Sequence, residues 1–223
     1  MTRAVALSSL IAVAFTASSA FAGEKPRVAV LYFDISSTDP EHQVLKKGIA
    51  EMLITDIAAD PAITVVERSR LEDVIAELNL QQTNKVDATT AQRVGKLLGA
   101  QYLVTGSLTM QKGSGRLDGK VVKVETGIVT GAAVPLKDGE IFDAELKLAE
   151  KLNGLLAKAD ARDPPPPPKK QGKLSVDNAV KYSQALDALD RKDKKAAKEK
   201  LEAVVKAQPD FMLATLELDR LMK

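Results

Sequence analysis

The stretch TVVERSRLEDVIAELN, residues 64–79, passes from a β-branched apolar run directly into a helical pattern. The run up to Val66 predicts a strand, and the apolar residues after it recur at helical spacing, at Leu71, Val74, Ile75 and Leu78. Ser69, followed three residues later by Glu72, predicts a capping box at the start of this helix. A strand that leads into a helix in this way is typical of α/β folds.

The same alternation precedes and follows that stretch. RVAVLYF, residues 27–33, is a near-continuous apolar run, which predicts a strand buried on both faces. Asp39 and Pro40 are suited to begin a helix, and the pair Asp60-Pro61 ends it. A further helix is predicted from a cap at Asp87 to the glycine at Gly99.

Strands dominate the region that follows. We predict strands over residues 99–110, 119–125 and 127–134, with Gly106 as a bulge or close contact, a hairpin turn at KGSGR and Pro135 at a sheet edge. A helix is predicted over residues 139–158. Early crossovers favour parallel pairing and later hairpins favour antiparallel pairing, so the sequence predicts an α/β fold with a mixed sheet of about five strands covered by helices.

Two segments divide the chain into parts. Residues 1–22 combine a basic start, an apolar run and the small-residue site Ala20-Phe21-Ala22, which indicates a signal peptide; a membrane anchor is the alternative. Five consecutive prolines predict a stiff polyproline II linker, residues 161–175, with a proline-rich docking ligand as the alternative. We therefore predict an α/β domain at 23–160 and a small helical hairpin at 176–223, with helices over 176–189 and 194–207 and a third beginning at Phe211.

Composition narrows the function classes. The 223 residues carry a net charge of +2 and only 4% aromatics, which is unfavourable for binding nucleic acid. The chain contains no cysteine, so disulfides, thiolate metal sites and acylation of a junction cysteine are excluded. These features favour an exported protein of the bacterial periplasm that is not lipid-anchored and has no membrane span after processing; contact with the outer-membrane periphery stays open.

Few residues are suited to chemistry. His42 is the only histidine, so a metal site has no second imidazole or thiolate to draw on. A Ser-His-Asp arrangement would have to use His42, and the sequence has no G-x-S-x-G elbow. We predict no metal, no cofactor and no enzyme. Asp34 follows the first strand, where open α/β sheets place ligands. Arg68 and Arg70 flank a helix start that could receive an anion, or they are simply solvated.

The segment from residue 27 to about 156 resembles the CsgG-type curli production and secretion family. The resemblance rests on the phrases RVAVLYFDISS, ITVVERSRLEDVIAELNL and AQRVGKLLGAQYLVTGSLT. It implies a periplasmic α/β domain used in secretion channels and envelope assemblies, without enzyme activity. Channel-forming members are lipoproteins with long membrane-crossing hairpins, whereas here Asp118, Lys120 and Lys123 interrupt any apolar outward face, so no channel is predicted.

Residues 178–209 weakly resemble a tetratricopeptide (TPR) repeat, because small, bulky and proline positions match at Ala197, Leu201, Val204 and Pro209. Lys181 and Ala188 occupy the positions of the aromatic residues of that motif, and a plain helical hairpin is the alternative. We predict a partner-binding helix face at Leu201, Val204, Phe211 and Leu218.

The expected function is that of a non-catalytic periplasmic accessory protein for assembly or secretion, which associates with envelope proteins or with its own copies. The alternative is a small-ligand or glycan-binding module that uses Asp34, Arg68 and Arg70.

Overall fold

The computed structural model describes residues 24–78, 88–112, 114–137, 140–168 and 174–223. The predicted signal peptide and the predicted helix cap at Asp87 lie outside these residues. The strands are β1 Arg27–Val30, β2 Asp34–Ser37, β3 Thr64–Val65, β4 Tyr102–Gln111, β5 Ser114–Lys123 and β6 Val129–Leu136. A 3-10 helix spans Pro40–Val44, and the α-helices are α1 Leu45–Ala58, α2 Arg68–Glu77, α3 Ala88–Leu97, α4 Ile141–Ala159, α5 Val176–Asp190, α6 Lys194–Ala207 and α7 Met212–Leu221.

The strands form one six-stranded mixed sheet in the order β3-β1-β4-β5-β6, with β2 also paired to β4. β1 is parallel to β3 and to β4, whereas β4, β5 and β6 pair antiparallel. The predicted α/β fold, the mixed sheet and the division into early parallel and later antiparallel pairing are confirmed. β6 is an edge strand, which confirms the predicted position of Pro135.

The predicted first strand, residues 27–33, is shorter in the structure: β1 ends at Val30, and a separate strand, β2, begins at Asp34. Val30 is opposite Val104, but Asp34 is opposite Ser107, so this side of the ladder has one residue more than β4. An extra residue of this kind is a β-bulge. The close contact predicted at Gly106 is confirmed, because a Cβ there would collide with the carbonyl oxygen of Asp118 and the ring of Phe33.

The start of α2 differs from the prediction. The helix begins at Arg68, and its N-cap is Glu67, which makes no side-chain capping bond. The predicted capping box between Ser69 and Glu72 is therefore wrong. Ser69 already lies inside the first turn, and the carboxylate of Glu72 accepts a hydrogen bond from the hydroxyl of Tyr32 instead.

Helices cover the two faces of the sheet unequally. α1 and α4 cover one face and form the main core, with fully buried side chains such as Ile49, Leu53, Leu148 and Leu152. α2 and α3 cover the other face around Ala29, Leu103 and Val122, in a second and smaller apolar cluster. On that second face, Ser36, Thr109 and Arg116 lie next to one another on β2, β4 and β5, and all three are exposed.

The three C-terminal helices share the main core. α5 packs against α1 so closely that a Cβ on Gly48 would collide with the hydroxyl of Ser183. The ring of Phe211, just before α7, lies 5.7 Å from that of Phe142 on α4 and 5.1 Å from that of Tyr182 on α5, both edge to face. Such aromatic pairs add to the stability that burial supplies.

The proline-rich segment connects the C-terminal end of α4 to the start of α5. It leaves the C-terminal end of α4 at Asp160 and returns near its N-terminal end, where Ser175 forms an isolated antiparallel bridge with Glu140. α4 has 19 residues, which is about 28 Å of helix. The two ends of the segment are therefore separated by about the length of α4, and the start of α5 lies beside the start of α4.

Candidate functional site

The most prominent polar cluster lies where α1 and α2 meet α5. Arg68, predicted as an anion ligand, is the first residue of α2 and its side chain is only 10% exposed. Its Nη1 lies 2.8 and 2.7 Å from the two carboxylate oxygens of Asp190, and its Nε donates to Glu51 at 3.1 Å. The anion bound by Arg68 is therefore the carboxylate of Asp190, at the end of α5 in the same chain.

Lys47 completes this cluster from α1. Its Nζ lies 2.7 Å from Asp190, 2.9 Å from Asp187 and 3.2 Å from Glu72. We call these six side chains the α1–α5 ion network: Lys47, Glu51, Arg68, Glu72, Asp187 and Asp190. Burial would lower the pKa of Lys47, but its hydrogen bonds to Asp190 and Asp187 outweigh burial and raise that pKa above its usual value.

The acidic side of the network shows the matching effect. Burial would raise the pKa of Asp190, whereas the hydrogen bonds from Arg68 and Lys47 lower it below its usual value. Burial, followed by the hydrogen bond to Glu72, raises the pKa of Tyr32. The shifts at Lys47 and Asp190 favour their charged forms. Burial acts the other way on Glu51, whose pKa it raises. The contacts of Lys47 and Arg68 with Asp190 join α5 to α1 and α2.

The other two predicted ligand residues are more exposed. Asp34 is the exposed first residue of β2, opposite Ser107. Arg70 lies on α2 and points to solvent. The structure therefore gives Arg68 and Arg70, two residues apart, entirely different surroundings.

A second ionisable cluster lies deep between α1 and α4. Asp56 is 6% exposed and Glu145 is fully buried, and no basic side chain within the described residues pairs with either. Burial raises the pKa of Asp56 to about 6, with an opposing hydrogen bond from Glu145. Burial and the neighbouring charge of Asp56 raise the pKa of Glu145 well above its usual value. Both effects favour the protonated form of Glu145.

His42 takes part in a local Ser-His-Asp arrangement. Its Nδ1 lies 2.7 Å from Ser37 Oγ, and its Nε2 lies 3.7 Å from a carboxylate oxygen of Asp39, which is beyond hydrogen-bond range. A hydrolytic triad uses the two ring nitrogens the other way round. Asp39 instead caps the 3-10 helix by accepting from the N–H of Glu41 at 2.9 Å. The cluster therefore stabilises the start of the 3-10 helix.

The predicted partner-binding face has a partner inside the chain. Leu201, Val204 and Phe211 are at most 1% exposed, and Leu218 packs against the same core. Apolar residues at helical spacing reveal that a face is buried, but not whether its partner belongs to the same chain. Sequence reasoning missed Lys47, Asp187 and Asp190, because no local pattern links residues some 140 positions apart.

Within the described residues, no three histidine, aspartate or glutamate side chains cluster so that they could hold a metal ion. Among the described residues, no helix combines the length and the apolar character that a membrane span requires.

The model of the family described as "Curli production assembly/transport component CsgG" matches residues 11–116. The resemblance predicted from the sequence is confirmed: this segment is similar to the CsgG family. The match ends within β5, before α4 and the C-terminal helices. The weaker likeness to a tetratricopeptide repeat is not confirmed.

Similar proteins carry several names. "Putative adenylate cyclase 3" of Rhizobium meliloti (strain 1021) is 29% identical over 103 residues, 46% of this chain and 16% of that protein, so the match spans about a sixth of the relative. The solved LpoB C-terminal domain from Salmonella enterica is 18% identical, with 50% of this chain and 82% of that chain covered and a TM-score of 0.43. TolB from Acinetobacter baumannii is 15% identical over 61% of this chain and 29% of that chain, with a TM-score of 0.42.

Proposed function

We propose that this protein is a non-catalytic accessory protein of the bacterial cell envelope, located in the periplasm, which acts by binding other proteins. The observation that carries the proposal is the match of residues 11–116 to a family described as an assembly and transport component. The leader pattern in residues 1–22 supports export.

The polar clusters favour a role in binding over catalysis. Arg68, Lys47 and Asp190 neutralise one another, and Asp39 and His42 serve a helix start. A catalytic site needs ionisable groups that converge on a space for substrate. Of the three residues that sequence reasoning selected for ligand binding, Arg68 is engaged with Glu51 and Asp190 inside the fold, which argues against the small-ligand or glycan alternative.

Exposed apolar side chains on the last helix offer one surface for association. Met212 and Leu216 lie one turn apart on α7 and are each 47% exposed, and Met222 is 62% exposed. The ordinary expectation for a monomer is that large apolar side chains are exposed singly. The two α7 residues are therefore suitable positions from which to detect a partner.

The test combines fractionation with photo-crosslinking in cells. The full-length chain carries a photoreactive amino acid at Leu216, or at the exposed charged Lys192 as a matched control. We expect the processed protein in the periplasmic fraction and a discrete adduct from Leu216 that Lys192 does not give. Recovery in the cytoplasm, or a strict monomer without an adduct from Leu216, would contradict the proposal.

A further inference from the structure

The two edges of the sheet are built differently. One side ends in β3, which has two residues, and in β2, which has four, begins with Asp34 and receives a hydrogen bond from the Gln43 side chain at Ile35. The other side ends in β6, which has eight residues, VTGAAVPL, and no charged side chain. Proteins normally protect sheet edges with short strands, charges or bulges. β6 has only Pro135 for this purpose.

The backbone groups on the free side of β6 follow from its register. Lys123 N–H donates to the carbonyl of Ile128 at 2.9 Å, and Val122 is opposite Val129. Hydrogen-bonded pairs alternate along an antiparallel ladder, so every second residue of β6 directs its N–H and carbonyl away from β5. The outward set is Val129, Gly131, Ala133 and Pro135. Proline, which has no N–H, falls in this set, as the ladder requires.

A groove accompanies this edge. A shallow cavity of about 240 Å³ lies between β6 and α4, lined by Ala133, Val134 and Pro135 on the strand and by Lys147, Glu150 and Lys151 on the helix. The three helix residues are exposed. Two lysines against one glutamate give the groove a positive charge, which favours an acidic occupant. An unpaired edge strand is also the element to which extended peptides add a strand in known recognition modes.

We propose that β6 binds an extended acidic peptide segment of a partner protein, which adds to the sheet as a further strand and places carboxylates near Lys147 and Lys151. The inference rests on the proposed function, since it takes association from there and names the surface and the chemistry of the partner. Main-chain hydrogen bonds to Val129, Gly131 and Ala133 supply affinity, and the two lysines supply the preference for acidic segments.

The test uses the full-length chain and three synthetic octapeptides. One alternates threonine with glutamate, one alternates threonine with lysine, and one has the acidic sequence with an N-methyl group on every residue, so that it keeps its charge but cannot donate hydrogen bonds along either edge. Amide hydrogen exchange is measured residue by residue. In the free chain we expect slow exchange at Thr130 and Ala132, which bond to β5, and fast exchange at Gly131 and Ala133. The unmethylated acidic peptide alone should slow Gly131 and Ala133.

Two variants test the two parts of the site. Ala133→Pro removes an outward N–H without removing a bond to β5, and should weaken the acidic peptide about fivefold, the effect of one net hydrogen bond. Ala133→Thr keeps the N–H and is the matched control. Reversing both Lys147 and Lys151 to Glu should weaken binding about tenfold. If Ala133→Pro does not fold, the N-methylated peptide tests the same bonds from the other side.

The proposal is overturned if the acidic peptide leaves Gly131 and Ala133 in fast exchange, or if the N-methylated or basic peptide binds equally well. In the absence of peptide, exchange at Gly131 and Ala133 that becomes slower as the protein concentration rises would show that β6 pairs with a second copy of the chain. That result would also overturn the proposal. An adduct from Leu216 in cells combined with no effect of the acidic peptide would leave the proposed function standing and reject only this inference.

Discussion

Helix α1 contributes to two ionisable clusters that are built in opposite ways. In the α1–α5 ion network, Lys47 and Arg68 each contact several carboxylates, and these contacts favour the charged forms of Lys47 and Asp190. In the pair between α1 and α4, Asp56 and Glu145 face each other without a cation from the described residues, and their raised pKa values favour the protonated forms. Helix α1 therefore forms ion pairs where it meets α2 and α5, whereas its buried carboxyl group beside α4 has no such pair within the described part of the chain.

The contrast shows how the chain attaches its C-terminal helices. The ion network is specific in geometry, because a guanidinium and an ammonium group must both reach Asp190. A carboxyl pair adds little specificity, but it makes stability depend on pH. Removing a partner should be severe in the network and mild, or even favourable, in the carboxyl pair.

The largest expected effect comes from Arg68→Met. It leaves Asp190 and Glu51 partly buried without their cation, so the free energy of unfolding should fall by about 3 kcal/mol. Arg70→Met, two residues away on the exposed side of α2, should change it by less than about 0.5 kcal/mol. Urea unfolding of both variants at pH 7 measures the difference, and equal effects would break the contrast.

A steric contact separates packing from charge at the same interface. Gly48→Ala places a Cβ against the hydroxyl of Ser183, which is fully buried and donates to the carbonyl of Ala179 at 2.7 Å. We expect a loss of about 2 kcal/mol, as for other overpacked core sites. Combining it with Ser183→Ala should recover most of that loss in thermal unfolding. No recovery would mean that the backbones of α1 and α5 themselves are too close.

The carboxyl pair predicts a pH dependence of defined sign. Asp56 has a folded-state pKa of about 6 against an ordinary value of 3.8, and that of Glu145 is also raised. The folded chain thus holds protons that the unfolded chain has lost, so this stabilising contribution declines as the pH rises above about 4 and through 6. Glu145→Gln should add about 1 kcal/mol at pH 8 relative to its effect at pH 5. Glu150→Gln, exposed on the same helix, is the control for urea titrations at both pH values.

The smallest expected effect is that of salt. Raising NaCl from about 0.1 to 1 M shortens the screening length from about 10 to 3 Å and should cost the ion network about 0.5 kcal/mol. Arg68→Met should show a smaller salt dependence, and Glu145→Gln should leave it unchanged. A salt effect of the same size in Arg68→Met would place its origin elsewhere in the chain.

Local patterns predicted most elements correctly. The three C-terminal helices and α4 were predicted to within about three residues, because apolar periodicity and helix breakers such as Pro209 are local signals. The capping box failed for a tertiary reason. Glu72 is needed by Tyr32 and Lys47, and a local rule cannot weigh that distant demand against a nearby backbone N–H.

The sequence by itself determined the α/β class, the order of strands and helices, the edge position of Pro135 and the resemblance to the CsgG-type family, since each depends on spacing within one segment. Only the tertiary structure decided what the amphipathic C-terminal helices cover and which anion Arg68 receives. Those outcomes depend on contacts between residues more than 100 positions apart, such as Arg68 and Asp190. Periodicity shows that a face or a charge needs a partner, and the path of the folded chain determines which partner it meets.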